Sequence, residues 1–316
     1  MTLSDRQQCM NNDPLISIII PTYNRAHLLP RTIFSVIQQS YPFWELIVVD
    51  DGSTDDTENI IKEYILNDSR IKYLERLKTR NKGANACRNF GIENAKGDYI
   101  AFLDSDDEWL EDRLTNAWKF LANIKAKAIY SGAIIKYQHS QQNRESRSLM
   151  PGEEAFDFVL SSNTFAPTPT LIVKANILLE IKFDEVLQRH QDFDLFIRVN
   201  EVDQWTYFEN YDVIIHWEKN QIKKNIDFES CKVFYQKHVF RSNNRKVRIG
   251  YLTYIFESCA KLNPSIGALK FFIKELRKEG IRLNLRQKII VTFPFIFHQL
   301  YLFKRNLKWE KKYFLL

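Results

Sequence analysis

Four polar residues, three of them carboxylates, end a short apolar run near position 100 of this sequence. The run covers residues 99–103, and Asp104, Ser105, Asp106 and Asp107 follow it. An apolar run of this length predicts a strand that is covered on both faces. Because neighbouring carboxylates repel each other, a positive charge is expected between them. The pattern predicts a site for a hard divalent cation, Mg²⁺ or Mn²⁺, that also binds substrate phosphates.

The same acidic residues have a simpler interpretation. They could form a solvated turn followed by a helix, with Asp106 or Asp107 at the N-cap position. Short motifs of this kind occur often by chance, so the rest of the chain has to decide between the two interpretations.

The elements around the acidic cluster predict where it lies. Strands are predicted over residues 15–21, 45–50, 71–74 and 99–103, and helices over residues 28–39, 55–66 and 84–95. This alternation predicts a parallel α/β sheet, in which ligands bind outside the carboxyl ends of the strands. Thr22 and Tyr23, the pair Asp50 and Asp51, and the acidic cluster all follow strands at that edge. We therefore expect these residues to share one pocket.

A nucleotide held in this pocket would have to bind without the usual glycine-rich phosphate loops. The sequence contains no GxGxxG fingerprint and no Walker-type loop, so a bound diphosphate would need a metal ion. Tyr23 could stack on the base, and Asp51 could accept a hydrogen bond from a base imide N–H. Because consecutive strand residues point to opposite faces, Asp50 is expected to orient the turn instead.

Composition limits the class of protein. The chain has 316 residues, of which 45% are hydrophobic and 27% charged, and its net charge is +6. Four scattered cysteines, with no CxxC pair, predict a reducing compartment. Residues 1–14 are polar and predicted to be flexible, without the apolar core of a signal peptide. No run of roughly 18 uncharged apolar residues occurs, so a cytoplasmic location is predicted.

Several sequence blocks resemble the signature sequences of family 2 glycosyltransferases. They are SIIIPTYNR (residues 17–25), VVDDGSTD (48–55) and FLDSDD (102–107), and residues 88–100 fit the same pattern. The blocks have the order and spacing of that family, and the resemblance extends over about residues 15–216. It implies a GT-A fold, which is a Rossmann-like mixed α/β sheet, and a nucleotide-diphosphate sugar donor with Mn²⁺ or Mg²⁺ as cofactor.

The resemblance also implies roles for individual residues. The expected nucleotide-sugar-binding residues are Pro21, Thr22, Tyr23, Arg25, Asp51, Arg88, Asp104, Ser105 and Asp106. The expected metal ligands are Asp106 and Asp107. His216 is a further candidate ligand, because many relatives carry a histidine after a strand at this place. An ordinary core or surface histidine is the alternative for His216.

A later block supplies the expected catalytic base. Residues 191–198 resemble the family sequence Glu-Asp-x-x-Leu-x-x-Arg, in which the aspartate is the base, and Asp192 takes that position. The preceding glutamate of the family is Gln191 here. Inverting transfer is one in-line displacement, so a carboxylate must deprotonate the acceptor hydroxyl opposite the leaving diphosphate. The alternative for Asp192 is the N-cap of a helix over residues 193–201.

The domain organisation follows from these blocks. Residues 15–220 are predicted to form the catalytic domain, with a nucleotide-sugar half (15–110) and an acceptor and base half (111–220). The second half is expected to contain a strand over residues 128–137 and a mobile loop over residues 139–147. Residues 221–316 are predicted to form a helical, basic and aromatic extension. Its apolar stretch, residues 289–303, suits an interfacial membrane helix, or a helix packed on the catalytic domain or on a dimer partner.

The combined prediction is a metal-dependent, inverting glycosyltransferase of bacterial surface polysaccharide synthesis. It would move a single sugar, from a UDP-sugar by default, to a hydroxyl of a glycan or lipid-linked acceptor at the inner face of the membrane. A nucleotidyltransferase would need a Gly-rich basic loop near residue 21, which is lacking. A catalytically inactive scaffold at the membrane would not need the retained acids. Nucleic acid is not an expected partner, because the predicted pocket is lined with acids.

Overall fold

The computed structural model describes residues 13–217 and 227–302 of the chain. By its internal contacts the chain divides into two compact units, residues 1–219 and residues 220–316. Most of the predicted flexible N-terminus, residues 1–12, lies outside the described residues.

Strands and helices alternate through the first part of the first unit. They are β1 (Ile16–Thr22), α1 (Leu29–Ile37), β2 (Trp44–Asp50), α2 (Thr57–Asn67), β3 (Ile71–Glu75), α3 (Ala84–Asn94), β4 (Tyr99–Phe102), β5 (Glu108–Trp109) and α4 (Arg113–Ile124). The remaining elements are β6 (Ala128–Ser131), β7 (Ala133–Tyr137), β8 (Ser140–Arg144), α5 (Ala155–Val159), β9 (Ile172–Lys174), α6 (Ala175–Ile181), α7 (Gln191–Val202), β10 (Thr206–Phe208) and β11 (Val213–His216).

A seven-stranded mixed sheet forms the centre of this unit. Its order is β10-β6-β9-β4-β1-β2-β3, and all neighbours are parallel except β9, which is antiparallel to β4 and β6. Every residue of β1 and β2 is buried, as their continuous apolar runs predict. The carboxyl ends of β1, β2 and β4 therefore lie side by side at one edge of the sheet.

Strand β1 continues through Pro21 to Thr22, although the sequence predicted that Pro21 would end it. Proline lacks the N–H that a ladder hydrogen bond requires. The pairing of β1 with β4 stops at Ile19, so Pro21 lies where that neighbour has already turned away. The proline is thus compatible with a central strand at this position.

The single strand predicted over residues 128–137 is wrong, because two strands occupy this region. β6 belongs to the central sheet, whereas β7 belongs to a four-stranded sheet with the order β5-β11-β7-β8. The chain changes sheets at Gly132, where a Cβ atom would lie 2.7 Å from the Tyr211 ring. A side chain at Gly132 would push against this ring, so the close approach depends on glycine.

The mobile loop predicted over residues 139–147 is also wrong in part. Residues Ser140–Arg144 form β8, which is paired antiparallel with β7. All five residues of β8 are exposed. With both faces in water, the strand has no alternation of apolar and polar residues from which it could be predicted.

The described part of the second unit, residues 227–302, is helical. Its helices are α8 (Phe228–Lys237), α9 (Arg245–Leu262), α10 (Ile266–Lys278) and α11 (Leu285–Thr292), and residues 294–302 are helical as well. The interruption at Phe293 precedes Pro294, because a residue before proline is disfavoured in helical geometry.

An exposed apolar stripe runs along residues 285–300 of the second unit. Its members are spaced by three or four positions and are Leu285, Ile289, Phe293, Ile296 and Leu300, with exposed fractions between 47% and 75%. Exposed basic side chains flank it at Arg282, Arg286 and Lys288. Within residues 13–217 and 227–302, no helix is both long enough and apolar enough to cross a bilayer.

Candidate active site

The acidic cluster lies in a turn between β4 and β5, and α1 holds the backbone of that turn. The buried Thr32 hydroxyl donates to the carbonyl oxygens of Ser105 (3.1 Å) and Asp107 (2.8 Å). Arg31 Nη2 donates to the carbonyl oxygen of Asp106 at 2.6 Å. These three hydrogen bonds fix the main chain of residues 105–107.

The alternative interpretation of these acids as helix caps is wrong. The turn leads into strand β5, and the next helix, α4, has Asp112 at its N-cap position. Neither Asp106 nor Asp107 caps a helix.

The carboxylates of the turn carry more negative charge than their neighbours neutralise. Arg88 Nη2 contacts Asp104 Oδ1 at 2.6 Å, and Arg25 Nη2 lies 3.6 Å from Asp106 Oδ2. Burial and the nearby Asp104 raise the pKa of Asp106. Burial and then the charges of Asp104 and Asp106 raise the pKa of Asp107 to about 9. The turn therefore lacks positive charge, even with both arginines in place.

The chemistry of this donor set fits a divalent cation, because hard cations prefer carboxylate oxygens and would relieve the repulsion. Asp104 and Asp106 side chains are 34% and 31% exposed, so ligands can reach them. Asp107 is only 4% exposed, and its Oδ1 accepts the backbone N–H of His216 at 2.9 Å. No three His, Cys, Asp or Glu side chains are arranged as metal ligands in the described part of the chain.

The His216 ring pairs with Glu108, not with the acids of the turn. His216 Nε2 contacts Glu108 Oε1, and Arg31 Nε lies 3.4 Å from the same oxygen. Burial lowers the pKa of His216, although Glu108 opposes this effect. The sequence did not single out Glu108 or Arg31 as site residues. The signal that could have identified Glu108 is its position directly after the acidic cluster.

The turn after β1 is tied to the turn after β2. Asn24, in the left-handed region at φ 51°, donates its N–H to Ser53 Oγ (2.8 Å), and its Oδ1 accepts the Thr54 N–H (2.8 Å). Tyr23 is 49% exposed, so its ring face is available for stacking. The buried Thr22 hydroxyl has no hydrogen-bond partner among residues 13–217 and 227–302. These are features that a bound nucleotide could use.

Asp50 and Asp51 point to different partners, as the alternation along a strand predicts. Asp50 accepts hydrogen bonds from Ser53 and from the Tyr73 hydroxyl, which is 2.9 Å away, and so orients the turn. Asp51 Oδ1 pairs with Arg76 Nε, and its Oδ2 accepts the Gly83 N–H at 2.9 Å. Asp51, the carboxylate that is expected to contact the nucleobase, is therefore held by Arg76. The sequence did not single out Arg76.

Helix α3 connects the acidic turn with the chain segment before Asp192. Arg88 reaches Asp104, whereas Asn85 and Asn89 bond to residues 183–187. All three side chains are buried. The sequence gave no role to Asn85, although its one-turn spacing from Asn89 places the two amides on the same helix face.

Asp192 lies in the first turn of α7 and is half-buried. The helix begins at Gln191 with His190 as its N-cap, so the alternative role of Asp192 as the cap is wrong. Negative charge is favoured in the first turn of a helix. Asp194, one turn before Arg198, is fully buried and ion-paired with it. Of the two acids, only Asp192 is solvent-accessible.

A mixed α/β sheet with an acidic turn at its carboxyl edge is the GT-A architecture of nucleotide-sugar transferases. The family model "Glycosyl transferase family 2" matches residues 17–181, which is over half of the chain. The chain belongs to this family, so it is a glycosyltransferase, and both the fold class and the family predicted from the sequence are confirmed.

Two curated relatives illustrate the range of the family. WcaA of Escherichia coli K12, named for colanic acid biosynthesis, is 33% identical over 249 residues, covering 72% of this chain and 83% of WcaA. WfgD of Escherichia coli, a UDP-Glc:α-D-GlcNAc-diphosphoundecaprenol β-1,3-glucosyltransferase, is 46% identical over 103 residues. That match covers 33% of this chain, which spans only 39% of the length of WfgD.

Two solved structures share the fold. TarS 1–349 of S. aureus in complex with UDP-GlcNAc has a TM-score of 0.62 at 18% identity, covering 91% of this chain and 89% of that one. The mannosyltransferase PcManGT from Pyrobaculum calidifontis, with GDP-Man and Mn²⁺, has a TM-score of 0.53 at 19% identity, covering 94% of this chain and 83% of that one.

Proposed function

We propose that this glycosyltransferase moves one sugar from a nucleotide-diphosphate sugar to a hydroxyl of a glycan or lipid-linked acceptor, in the synthesis of a cell-surface polysaccharide. The observation that carries the proposal is the acidic turn, in which the accessible Asp104 and Asp106 lie beside the buried Asp107, with Arg88 on Asp104 and Arg25 near Asp106. Such a combination of charges suits a metal-bound diphosphate.

The donor part of the proposal rests on the turns after β1 and β2. The exposed Tyr23 ring offers a stacking surface for the base, and Asp51, fixed by Arg76, offers an acceptor for a base N–H. WfgD is named for UDP-Glc, and TarS has been solved with UDP-GlcNAc, which supports UDP as the first nucleotide to test. GDP is the next, since PcManGT was solved with GDP-Man.

Mn²⁺ or Mg²⁺ is proposed as the cofactor, held by Asp106 and Asp107 with Asp104 beside them. When bound, the cation would neutralise charge on the leaving diphosphate. Arg25 and Arg88 would add fixed positive charge next to the same group. The backbone of the turn would not need to rearrange, because Thr32 and Arg31 already hold it.

Asp192 is proposed as the base in a single displacement with inversion. The oxygen of the acceptor hydroxyl forms a bond to the anomeric carbon of the sugar, and the bond from that carbon to the diphosphate oxygen breaks. The hydroxyl proton goes to the Asp192 carboxylate, and the nucleoside diphosphate leaves with the electron pair. A single transfer is favoured over processive synthesis, because the chain lacks a Gln-x-x-Arg-Trp block.

The inner surface of an anionic membrane is proposed as a partner of the second unit. The stripe of Leu285, Ile289, Phe293, Ile296 and Leu300 is apolar, and basic residues flank it. Interfacial helices combine these two features, since the apolar face enters the bilayer and the basic residues attract anionic headgroups. A lipid-linked acceptor, such as the one for which WfgD is named, would be reached from that surface.

The first experiment is a melting series with UDP, GDP, CDP and dTDP, each with and without Mn²⁺. A ligand at about 100 times its dissociation constant stabilises the native state by roughly 2.7 kcal/mol, which is visible as a shift in Tm. We expect one nucleotide to raise Tm only with Mn²⁺, and its sugar derivatives are then tested as donors. If no nucleotide raises Tm under either condition, the donor site is contradicted and the inactive scaffold is favoured.

A further inference from the structure

Chain segment 183–190 leads directly into α7 and thus determines where the first turn of this helix, which contains Asp192, lies. This segment belongs to no strand or helix. It ends at His190, whose φ of 63° is unusual for a residue other than glycine. Backbone groups outside a hydrogen-bond ladder need other partners, and side chains can supply them.

Two buried asparagines of α3 hold one side of the segment. Asn89 accepts the Phe183 N–H (2.8 Å) and donates to the Phe183 carbonyl oxygen (2.9 Å) and to Glu185 Oε1 (3.0 Å). Asn85 Nδ2 donates to the carbonyl oxygens of Asp184 (2.9 Å) and Leu187 (2.6 Å). The segment is thereby fixed to the same helix that places Arg88 on Asp104.

Glu185 also joins the segment to the loop between β3 and α3, residues 76–83. Its Oε1 accepts from Arg80 Nη1 at 3.1 Å in addition to Asn89. Gln188 Nε2 donates to the Lys82 carbonyl oxygen of this loop at 3.3 Å. At Gly83 the approach is so close that a Cβ would lie 3.0 Å from Gln188 Oε1.

The loop at residues 76–83 is also the one that holds Asp51. Gly83 N–H donates to Asp51 Oδ2, and Arg76, which pairs with Asp51, donates to the Arg80 carbonyl oxygen at 2.7 Å. One side chain, Glu185, therefore contacts two places. They are the loop beside the proposed nucleobase pocket, through Arg80, and the helix that carries Arg88, through Asn89. Glu185 lies seven positions before Asp192.

We propose that Glu185 is a positioning residue for the transfer reaction, which sets the segment leading to Asp192 against the donor-side loop. This inference rests on the proposed role of Asp192 as the base. Glu185 does not touch the reacting atoms. Its loss would release segment 183–190 from Arg80 and weaken its attachment to Asn89, so that Asp192 would sample positions away from the acceptor hydroxyl.

The test compares Glu185→Ala with Glu93→Ala in the full-length protein. Glu93 is the matched control, because it pairs with the same Arg80 and with Lys182. We expect Glu185→Ala to lower kcat by roughly ten- to a hundredfold, with the donor KM changed less than about twofold. Glu93→Ala should keep kcat within about threefold of the unmodified chain. Glu185→Gln should restore much of kcat, because an amide oxygen still accepts from Asn89 and Arg80.

Hydrogen–deuterium exchange supplies a readout that does not depend on activity. Backbone amides of residues 183–192 should exchange faster in Glu185→Ala, but not in Glu93→Ala. Unchanged exchange in Glu185→Ala, or equal kcat in the two alanine variants, would overturn the inference. If the unmodified chain itself transfers no sugar from any donor, the proposed function is what fails, and the exchange comparison still decides whether Glu185 holds the segment.

Discussion

At the scale of single residues, the environment separates acids that look alike in the sequence. Asp50 and Asp51 are adjacent, yet one orients a turn through Ser53 and the other is held by Arg76. Asp194 is buried against Arg198, whereas Asp192, two positions earlier, is accessible in the first turn of the helix. Only an accessible carboxylate can exchange a proton with a bound acceptor, which favours Asp192 as the base.

Asp192→Asn should abolish transfer while the nucleotide still binds. We expect kcat to fall by roughly 10²–10⁴-fold, because the amide cannot accept the hydroxyl proton. The dissociation constant of the nucleotide, measured by calorimetry, should change less than about twofold. Glu201→Gln, an exposed position of the same helix, is the control. Equal loss of transfer and of nucleotide binding would contradict the assignment.

At the scale of elements, helix α1 fixes the acidic turn without contributing a ligand. Thr32 donates to two carbonyl oxygens and Arg31 to a third, so three consecutive residues of the turn depend on one helix. The same division of labour occurs at α3, which holds segment 183–190 through amides and Asp104 through Arg88. Helix α1 thus acts on the backbone of the acidic turn, whereas α3 contacts the Asp104 carboxylate directly and holds the segment that precedes Asp192.

Thr32→Val should destabilise the protein by about 1–3 kcal/mol, because two buried carbonyl oxygens lose their donor. The measurement is the shift in the urea midpoint together with the slope of the transition. We also expect weaker Mn²⁺-dependent nucleotide binding, since the backbone of residues 105–107 is released. Thr32→Ser keeps the hydroxyl and should behave like the unmodified chain. A Thr32→Val variant with unchanged midpoint and binding would show that the turn does not depend on α1.

At the scale of the whole molecule, the two units carry different surfaces. The first unit contains the acidic turn and every residue of the candidate site, whereas the second carries the apolar stripe from Leu285 to Leu300. An apolar stripe with basic flanks is unfavourable in water and suits an anionic bilayer surface. The proposed chemistry and the proposed membrane contact can therefore be changed independently by substitution.

The double variant Ile289→Glu, Ile296→Glu should lose binding to vesicles that contain anionic lipids. We expect the fraction that cosediments with such vesicles to fall severalfold, because charge replaces apolar surface at two exposed positions. The matched control is Leu66→Glu, Leu179→Glu, which places the same charges at exposed leucines of the first unit. Equal cosedimentation of both double variants would contradict the membrane face. Concentration-dependent oligomerisation lost only in the first variant would assign the stripe to a second copy of the chain.

Much of the fold was predictable because its signals are local. Continuous apolar runs identified β1, β2 and β4, and the acids after them had to lie at the carboxyl edge of the sheet. The signature blocks identified the family, which the family model confirms. Local signals missed β8, because this fully exposed strand has no apolar pattern. They also failed at Gly132, where the single predicted strand is divided between two sheets.

The sequence by itself determined the order of the elements, the family and the acids that could do the chemistry. Only the tertiary structure decided which side chains hold those acids. The Arg76–Asp51, Glu185–Asn89 and His216–Glu108 contacts join residues 25, 96 and 108 positions apart in the chain. Periodicity reports which face of an element is buried, but it carries no information on which distant residue meets that face. That choice depends on how the elements pack, and therefore appears only in the folded chain.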